Sequence, residues 1–343
     1  MMCSAGDPMD TVNINFGDKT YQVPTGVSLL DSLQDAGAEI PASCRSGVCQ
    51  SCLMQSDGFA PPEQSQKELS VEKRRQGYFL ACQCLPTQPM TIRLADEATP
   101  RFEAKISEIR DLSPDIKLVR FERPQSFKFH AGQYVNFHAS NGVIRSYSVA
   151  SLPSDEAHLD IHVRRIPGGA MTEWIFTQCA PGDSLRMTPA KGDCCYFEGT
   201  EDVPFLLVGI GTGVAPLQAI ARQALQTGKK SPLYFYQGAL SPERLYFRNE
   251  LRDLEQAAPQ FSYREVVLKG DANEFRVGDI TDVLMQDFDQ LKNCKAYLCG
   301  DANLVSAIRK KLFIAGIPMR QIQADAFVTA KPLPKGANHE LRS

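Results

Sequence analysis

The sequence predicts three folded units in a row: a small α+β unit, an antiparallel β-rich unit, and an α/β unit built on a parallel sheet. Three observations carry that prediction. A hairpin signal and a short amphipathic helix precede a cysteine-rich loop. Short β-like runs, separated by turn residues at regular intervals, fill the middle. Apolar runs, each followed by a helical pattern, fill the last third. A length of 343 residues suits this count, at roughly 100–200 residues per domain.

The elements follow in order. Thr11 to Phe16 alternates, Gly17-Asp18 turns, and Thr20 to Val23 returns, which reads as a β-hairpin. Pro24-Thr25-Gly26 breaks it, and Ser28 to Leu33 opens a helix ended by Gly37. An irregular loop holds three of the eleven cysteines, Cys82 comes later, and Met90 to Leu94 is a closing strand before the linker 96–100. The middle runs are Arg101–Ile109, Ile116–Glu122, Gln133–Ala139, Ile144–Val149 and Leu159–Arg164, a spacing that suggests a sandwich or barrel. One helix, Gly169–Gln178, interrupts them. Beyond residue 203, Phe205–Val208, Leu233–Tyr236 and Ala296–Cys299 are strands, followed by helices at 216–225, 248–256 and 302–314.

Composition removes several classes. Hydrophobic residues at 43% and charged residues at 22% fit a globular chain and argue against long disorder. A net charge of -3 gives no basic footprint for nucleic acid and no polybasic membrane anchor. Phe205–Ile210, the longest strongly apolar run, falls far short of the roughly 20 residues of a membrane span. Met1–Asp10 has no secretory signal pattern, so a cytoplasmic, reducing location is expected. There, eleven cysteines are many, and their odd number argues against complete pairing.

Cys44, Cys49 and Cys52 have the spacing C-x4-C-x2-C, and 29 residues separate Cys52 from Cys82. This is the plant-type 2Fe–2S ligand pattern. Four thiolates must converge on two irons, and a glycine-bearing loop lets the backbone wrap them; Gly47 can take the positive φ such a loop needs. Zinc would favour two C-x2-4-C knuckles, and the loop's three cysteines supply only one such pair without sharing a ligand. Cys84 rivals Cys82 as fourth ligand, although Leu80-Ala81-Cys82-Gln83 fits the pattern better. Cys3, Cys179, Cys194, Cys195 and Cys294 read as incidental thiols.

On these residues, 9–95 resembles a plant-type ferredoxin domain. The chain from residue 9 to about 330 resembles the three-domain ferredoxin–NAD(P)H reductases that supply electrons to bacterial oxygenases and hydroxylases. The resemblance implies a β-grasp ferredoxin domain over 9–97, an antiparallel β-barrel flavin domain over 98–199, an α/β parallel-sheet nicotinamide domain over 200–330, and a tail over 331–343. It implies a monomer carrying a 2Fe–2S cluster and FAD and oxidising NADH, though the residues leave FMN and NADPH open.

Arg145-Ser146-Tyr147-Ser148 matches the family's R-x-Y-[ST]. Arg145 offers a guanidinium fork to the flavin pyrophosphate. Tyr147 can stack or bond along the isoalloxazine and ribityl chain, and the Ser148 hydroxyl can reach flavin N5. His162, Val163 and Arg164 follow, then Gly169, Met171 and Thr172 in a G-x-x-[ST] turn whose helix start would hold phosphate. Gly211-Thr212-Gly213-Val214 with Pro216 matches the family's glycine turn for the nicotinamide nucleotide. Cys299-Gly300-Asp301 matches its Y-x-C-G-[DP] marker, with Cys299 shaping hydride geometry beside Ser148. Ala324-Asp325-Ala326-Phe327 resembles the C-terminal acidic-x-aromatic segment, and Phe327 would cover the flavin. Relatives often carry arginine where Leu240 stands, and Ser241 or Arg244 could meet a 2′-phosphate.

The implied function is electron delivery to a terminal oxygenase or hydroxylase, with a Rieske, diiron or ferredoxin acceptor docking around Arg45, Gln50 and Ser51. The alternatives are a deoxysugar dehydratase reductase, a stand-alone ferric or flavin reductase, and a non-enzymatic iron–sulfur redox sensor.

Overall fold

The computed structural model describes residues 10–38, 40–42, 45–47, 50–95, 102–139, 143–155, 157–200, 202–287 and 293–327. They form two compact units, one before residue 101 and one from residue 101 onward.

In the first unit, β1 (Thr11–Phe16) and β2 (Lys19–Pro24) pair antiparallel around Gly17, whose φ of 59° only glycine adopts freely. Helix α1 (Leu29–Asp35) starts where the Ser28 hydroxyl accepts the Asp31 N–H at 3.1 Å, satisfying one orphan donor. Its Leu29, Leu30 and Leu33 are fully buried, so one face packs on the sheet. The strands β3 (Leu53–Ser56), β4 (Tyr78–Leu80) and β5 (Met90–Leu94) complete the sheet in the order β2-β1-β5-β3-β4. β5 runs parallel to β1 and antiparallel to β3. A helix packed on such a mixed sheet gives the α+β unit that the sequence predicts. β3 and β4 escape the sequence pattern because their 4 and 3 residues are too short to display alternation. Between them lies the short basic helix α2 (Val71–Arg75).

The second unit holds two sheets. The first contains β6 (Phe102–Ser113), β7 (Ile116–Glu122), β8 (Tyr134–His138), β9 (Ile144–Ser148), β10 (His158–Arg164) and β11 (Ser184–Met187). All its pairings are antiparallel, in the order β10-β7-β6-β11-β8-β9. A bridge between Val149 and Ile161 joins the two edges, which makes it a barrel rather than a sandwich. Val119, Phe121, Phe137 and Val163 fill its interior. β6 continues past Ile109 because register shifts at Ile106/Glu108 and Asp111/Ser113 interrupt its alternation without ending the strand. Helix α3 (Ala170–Thr177) packs on the barrel through Met171 and Ile175.

The other sheet is parallel throughout. It contains β12 (Phe205–Ile210), β13 (Leu233–Ala239), β14 (Phe261–Val267), β15 (Arg276–Val277), β16 (Lys295–Asp301) and β17 (Ile322–Phe327) in the order β15-β14-β13-β12-β16-β17. The helices α4 (Val214–Gln226), α5 (Arg248–Ala257), α6 (Ile280–Gln286) and α7 (Ala302–Ile314) connect its strands. Phe205, Leu207 and Phe235 enter one core while Leu206, Val208 and Tyr236 enter another. Burial on both faces explains why β12 and β13 read as unbroken apolar runs. β14 and β17 carry Arg264, Glu265 and Asp325 among their residues, which interrupts the apolar run, so the apolar signal misses them. Strand order reverses about β12, so its carboxyl end is the topological switch point where such sheets receive ligands.

One buried cation fastens the segment between the two sheets. Lys229, 1% exposed, donates to the Thr200 and Val203 carbonyls at 2.7 and 2.6 Å, with its ammonium 3.7 Å from the Phe205 ring centre.

Candidate functional site

In the first unit, Cys44 and Cys49 lie outside the described residues, while Cys52 is buried and Cys82 is partly buried. Arg45, Gly47 and Gln50 have φ of 57, 87 and 51°, a left-handed course that non-glycine residues rarely take. Such a course suits a backbone that must wrap around something. A Cβ on Gly47 would stand 3.1 Å from Gln83 Cγ, so the loop rests on the turn that carries Cys82. Gln83 Nε2 lies 3.7 Å from Cys82 Sγ. Arg45 anchors the loop to α1 through Asp31 and through Gln34 at 2.5 Å. Lys73 of α2 donates to Gln50 at 2.9 Å.

Ser51, expected to face a partner, is instead buried, and its hydroxyl meets no hydrogen-bond partner among the described residues. A buried orphan hydroxyl is costly unless a ligand accepts from it. Its place between Cys49 and Cys52 fits a sulfur-rich cluster. Cys84 is fully buried in the unit's apolar core, whereas Cys82 is only partly buried. That placement favours Cys82 as the thiolate at the loop.

In the second unit, Arg145, Ser146 and Tyr147 of β9 are half-buried. Arg145 donates to its neighbour's carbonyl, Ile144 O, at 2.7 Å. Ser146 donates to Asn136 at 2.7 Å. Burial pushes the Tyr147 phenol above its ordinary value, so it stays neutral. The start of α3 has no side-chain cap, which leaves backbone N–H groups for a phosphate. Thr172 does not supply a free hydroxyl there: its Oγ1 donates within the turn to the Ile166 and Gly169 carbonyls, both at 3.1 Å. Val163 and Met171 point into the barrel core, so only their backbones can face a cofactor.

The His162 side chain turns toward Tyr246 and Phe247. It is buried, its Nδ1 is 3.1 Å from the Tyr246 hydroxyl, and its ring lies 5.3 Å from Phe247. Burial, aided by Arg110, pulls its pKa down to about 3, so the imidazole is neutral.

Ser148 and Cys299 are brought to one place through Asp325. Ser148 Oγ donates to Asp325 Oδ2 at 3.3 Å, and Asp325 is the register partner of Cys299 in the β16–β17 ladder. Burial pushes the Asp325 carboxyl up to about 6, against the pull of the Ser148 hydrogen bond. Burial, with Cys194 next, holds the Cys299 thiol well above its ordinary value, so it is a neutral thiol rather than a nucleophile. Cys194, read from sequence as incidental, has its sulfur 3.8 Å from that of Cys299.

The glycine turn lies beside them. Gly211 has a φ of 58°, and a Cβ there would meet the Arg164 guanidinium at 2.8 Å. A Cβ on Gly213 would overlap the Cys299 carbonyl. Thr212 is half-buried in this turn, while Val214 and Pro216 are core residues that set the start of α4. Gly300, with φ 133°, lies against the Ile210 carbonyl. Asp301 caps α7, accepting from Asn303 and Leu304 N–H at 3.0 and 3.1 Å, which is a structural duty. Phe327 sits beside Asp301 in the ladder and packs on the sheet's core. Cys194 was the site member least visible in sequence, because it is defined by a partner more than a hundred positions away, whereas Asp325 was visible as the acidic residue of its segment but not as the partner of Ser148.

Comparison with known proteins agrees with this layout. Residues 12–87 match the 2Fe-2S iron-sulfur cluster binding domain, residues 103–196 the oxidoreductase FAD-binding domain, and residues 207–310 the oxidoreductase NAD-binding domain. The chain is 34% identical, over 88% of its length and 94% of the other's, to the ferredoxin–NAD(P)+ reductase component of the naphthalene 1,2-dioxygenase system of Pseudomonas putida. It is 30% identical, over 93% and 99%, to the reductase subunit of an aromatic O-demethylase of Amycolatopsis. Among solved structures, the cytochrome P450 reductase of Amycolatopsis superposes with a TM-score of 0.67 at 29% identity, covering 92% of this chain and 99% of that one. With the 2Fe–2S, FAD and NAD domains in that order, the chain belongs to the three-domain ferredoxin–NAD(P)H reductases, the family of oxygenase and hydroxylase reductase components.

Proposed function

We propose that this chain moves reducing equivalents from NADH, through FAD and a 2Fe–2S cluster, to the terminal component of an oxygenase or hydroxylase system. The observation that carries the proposal is the meeting of Ser148 from the barrel with Asp325 and Cys299 from the parallel sheet, at the sheet's carboxyl edge. When bound, the flavin and the cluster together would supply the redox chemistry, accepting one hydride and passing its two electrons on singly.

The chain's own residues set the conditions. Cys44, Cys49, Cys52 and Cys82 are the proposed cluster ligands, with Ser51 donating toward the cluster sulfur. Arg145, Tyr147, Ser148 and the backbone of Gly169–Thr172 hold the flavin. Ser148 presents its hydroxyl at the reacting face, and Asp325 fixes that hydroxyl's direction. Gly211–Gly213 admit the nicotinamide nucleotide's phosphates at the start of α4, while Gly300 and Cys299 bound the nicotinamide. Phe327 would cover the bound flavin when no nicotinamide is present. The acceptor is a Rieske, diiron or ferredoxin-type protein, and the reductase acts as a monomer.

Anaerobic titration with NADH tests this reading, followed by visible absorbance with iron and acid-labile sulfide assayed alongside. Flavin bleaching, loss of the cluster bands, and about two irons and two sulfides per chain are expected. Absence of flavin from purified protein would sink the proposal.

A further inference from the structure

The carboxyl edge of the parallel sheet has a second part, beyond the glycine turn. β13, β14 and β15 are neighbours, so their carboxyl ends lie side by side. Leu268 N–H donates to the Ala239 carbonyl and Lys269 N–H to that of Leu240, both at 3.0 Å, which fixes the loops next to each other. The side chains at these ends are Leu240, Leu268 and Val277, which are 55%, 50% and 40% exposed. An apolar surface at this edge suits the face of a purine. A 2′-phosphorylated nucleotide brings two further negative charges, which a guanidinium fork answers best.

The loop 240–247 contains one cation, Arg244. It is turned toward the barrel: its Nη1 lies 2.9 Å from Asp115 Oδ2. Asp115 is itself held in place. Ser113 Oγ donates to its other carboxylate oxygen at 3.0 Å, and its carbonyl accepts the Arg165 N–H at 2.8 Å. The oxygen that binds Arg244 also faces Arg164 Nε at 3.8 Å, where Arg164 rests on Gly211. Nearby, Arg248 is paired with Glu265 at 2.8 Å, and Arg276 is paired with Asp287. Lys269 remains, but its ammonium is a point charge on a flexible stem rather than a fork.

We propose that Asp115 is a coenzyme-selectivity residue: by drawing Arg244 against the barrel, it withholds the loop's guanidinium from a 2′-phosphate, and the site favours NADH over NADPH. The inference rests on the reading that the β12 turn receives a nicotinamide nucleotide. Asp115 acts through Arg244 and touches no reacting atom, so it is a positioning residue.

The test uses full-length holoenzyme. NADH- and NADPH-dependent ferricyanide reduction is measured, together with calorimetric binding of 5′-AMP and 2′,5′-ADP, which differ only in the 2′-phosphate. Wild type is expected to prefer NADH. Asp115→Asn is expected to raise kcat/KM for NADPH by about tenfold through KM, with kcat and the NADH values within about threefold, and to tighten 2′,5′-ADP but not 5′-AMP. Adding Arg244→Ala to Asp115→Asn is expected to cancel the gain, because the freed guanidinium is gone. Leu240→Arg, at an exposed position that tolerates change, is expected to move the ratio the same way with Asp115 intact. An Asp115→Asn enzyme that loses both nucleotides alike, or keeps its gain without Arg244, would overturn the inference. A wild type that oxidises neither coenzyme would instead contradict the proposed function.

Discussion

Ser148 and Asp325 stand 177 positions apart in the chain and meet through one hydrogen bond of 3.3 Å. Burial raises the Asp325 pKa from 3.8 to about 6, so the folded protein holds that proton more tightly than the unfolded chain does. The group's contribution to stability is therefore full below about pH 4 and declines as pH rises through 6. Asp325→Asn is expected to remove this decline, gaining on the order of 2 kcal/mol at pH 7.5 relative to pH 4, read from thermal unfolding at the two values. Tyr246→Phe would leave the buried His162 Nδ1 without its partner, and a loss of about 1–2 kcal/mol in urea unfolding is expected. Local motifs announced Ser148, Cys299 and the cysteine loop in the sequence. They could not announce the duties of His162 and Asp325, because both depend on residues supplied by another sheet.

The glycine turn and the connector between the sheets are where whole elements depend on single atoms. Gly213→Ala would drive a methyl group into the Cys299 carbonyl, forcing β12, α4 and β16 apart. A destabilisation of about 3 kcal/mol or more is expected in urea, with loss of NADH-dependent flavin reduction. Lys229→Met keeps the apolar stem but takes the ammonium from the Thr200 and Val203 carbonyls, leaving them only the Val203 N–H and the Ser231 hydroxyl. It is expected to cost about 2–3 kcal/mol in urea unfolding monitored by flavin fluorescence. Strands β12, β13 and β16 were legible because both faces of their sheet are buried and their sequences are almost wholly apolar. β15, with two residues, carries too little sequence to read, and β17 mixes Gln323 and Asp325 with alanines. β11 has only four residues to show an alternation, and β6 hides its length behind two bulges.

At the scale of the molecule, the proposed cluster ligands and the proposed flavin and nucleotide residues belong to different compact units. Damage to one need not unfold the other. Cys52→Ser is expected to leave NADH–ferricyanide activity within about threefold while cytochrome c reduction falls roughly tenfold or more, as one-electron delivery through the cluster is lost. The succession of units was legible because each has its own periodicity: a hairpin with a cysteine loop, regular short strands, then alternating strand and helix. What stayed hidden were the ties between sheets, such as Asp115 to Arg244 and Lys229 to Thr200, which leave no periodic trace. The packing of Gly213 on the Cys299 carbonyl also bears on how such a chain can diverge. The two segments can change only in concert, so mutation and drift have little room at the proposed nicotinamide site. The loops at Leu240 and Leu268 are open to solvent and can vary one residue at a time. Descendants of this architecture would therefore inherit one fixed reaction geometry and diversify in what feeds it.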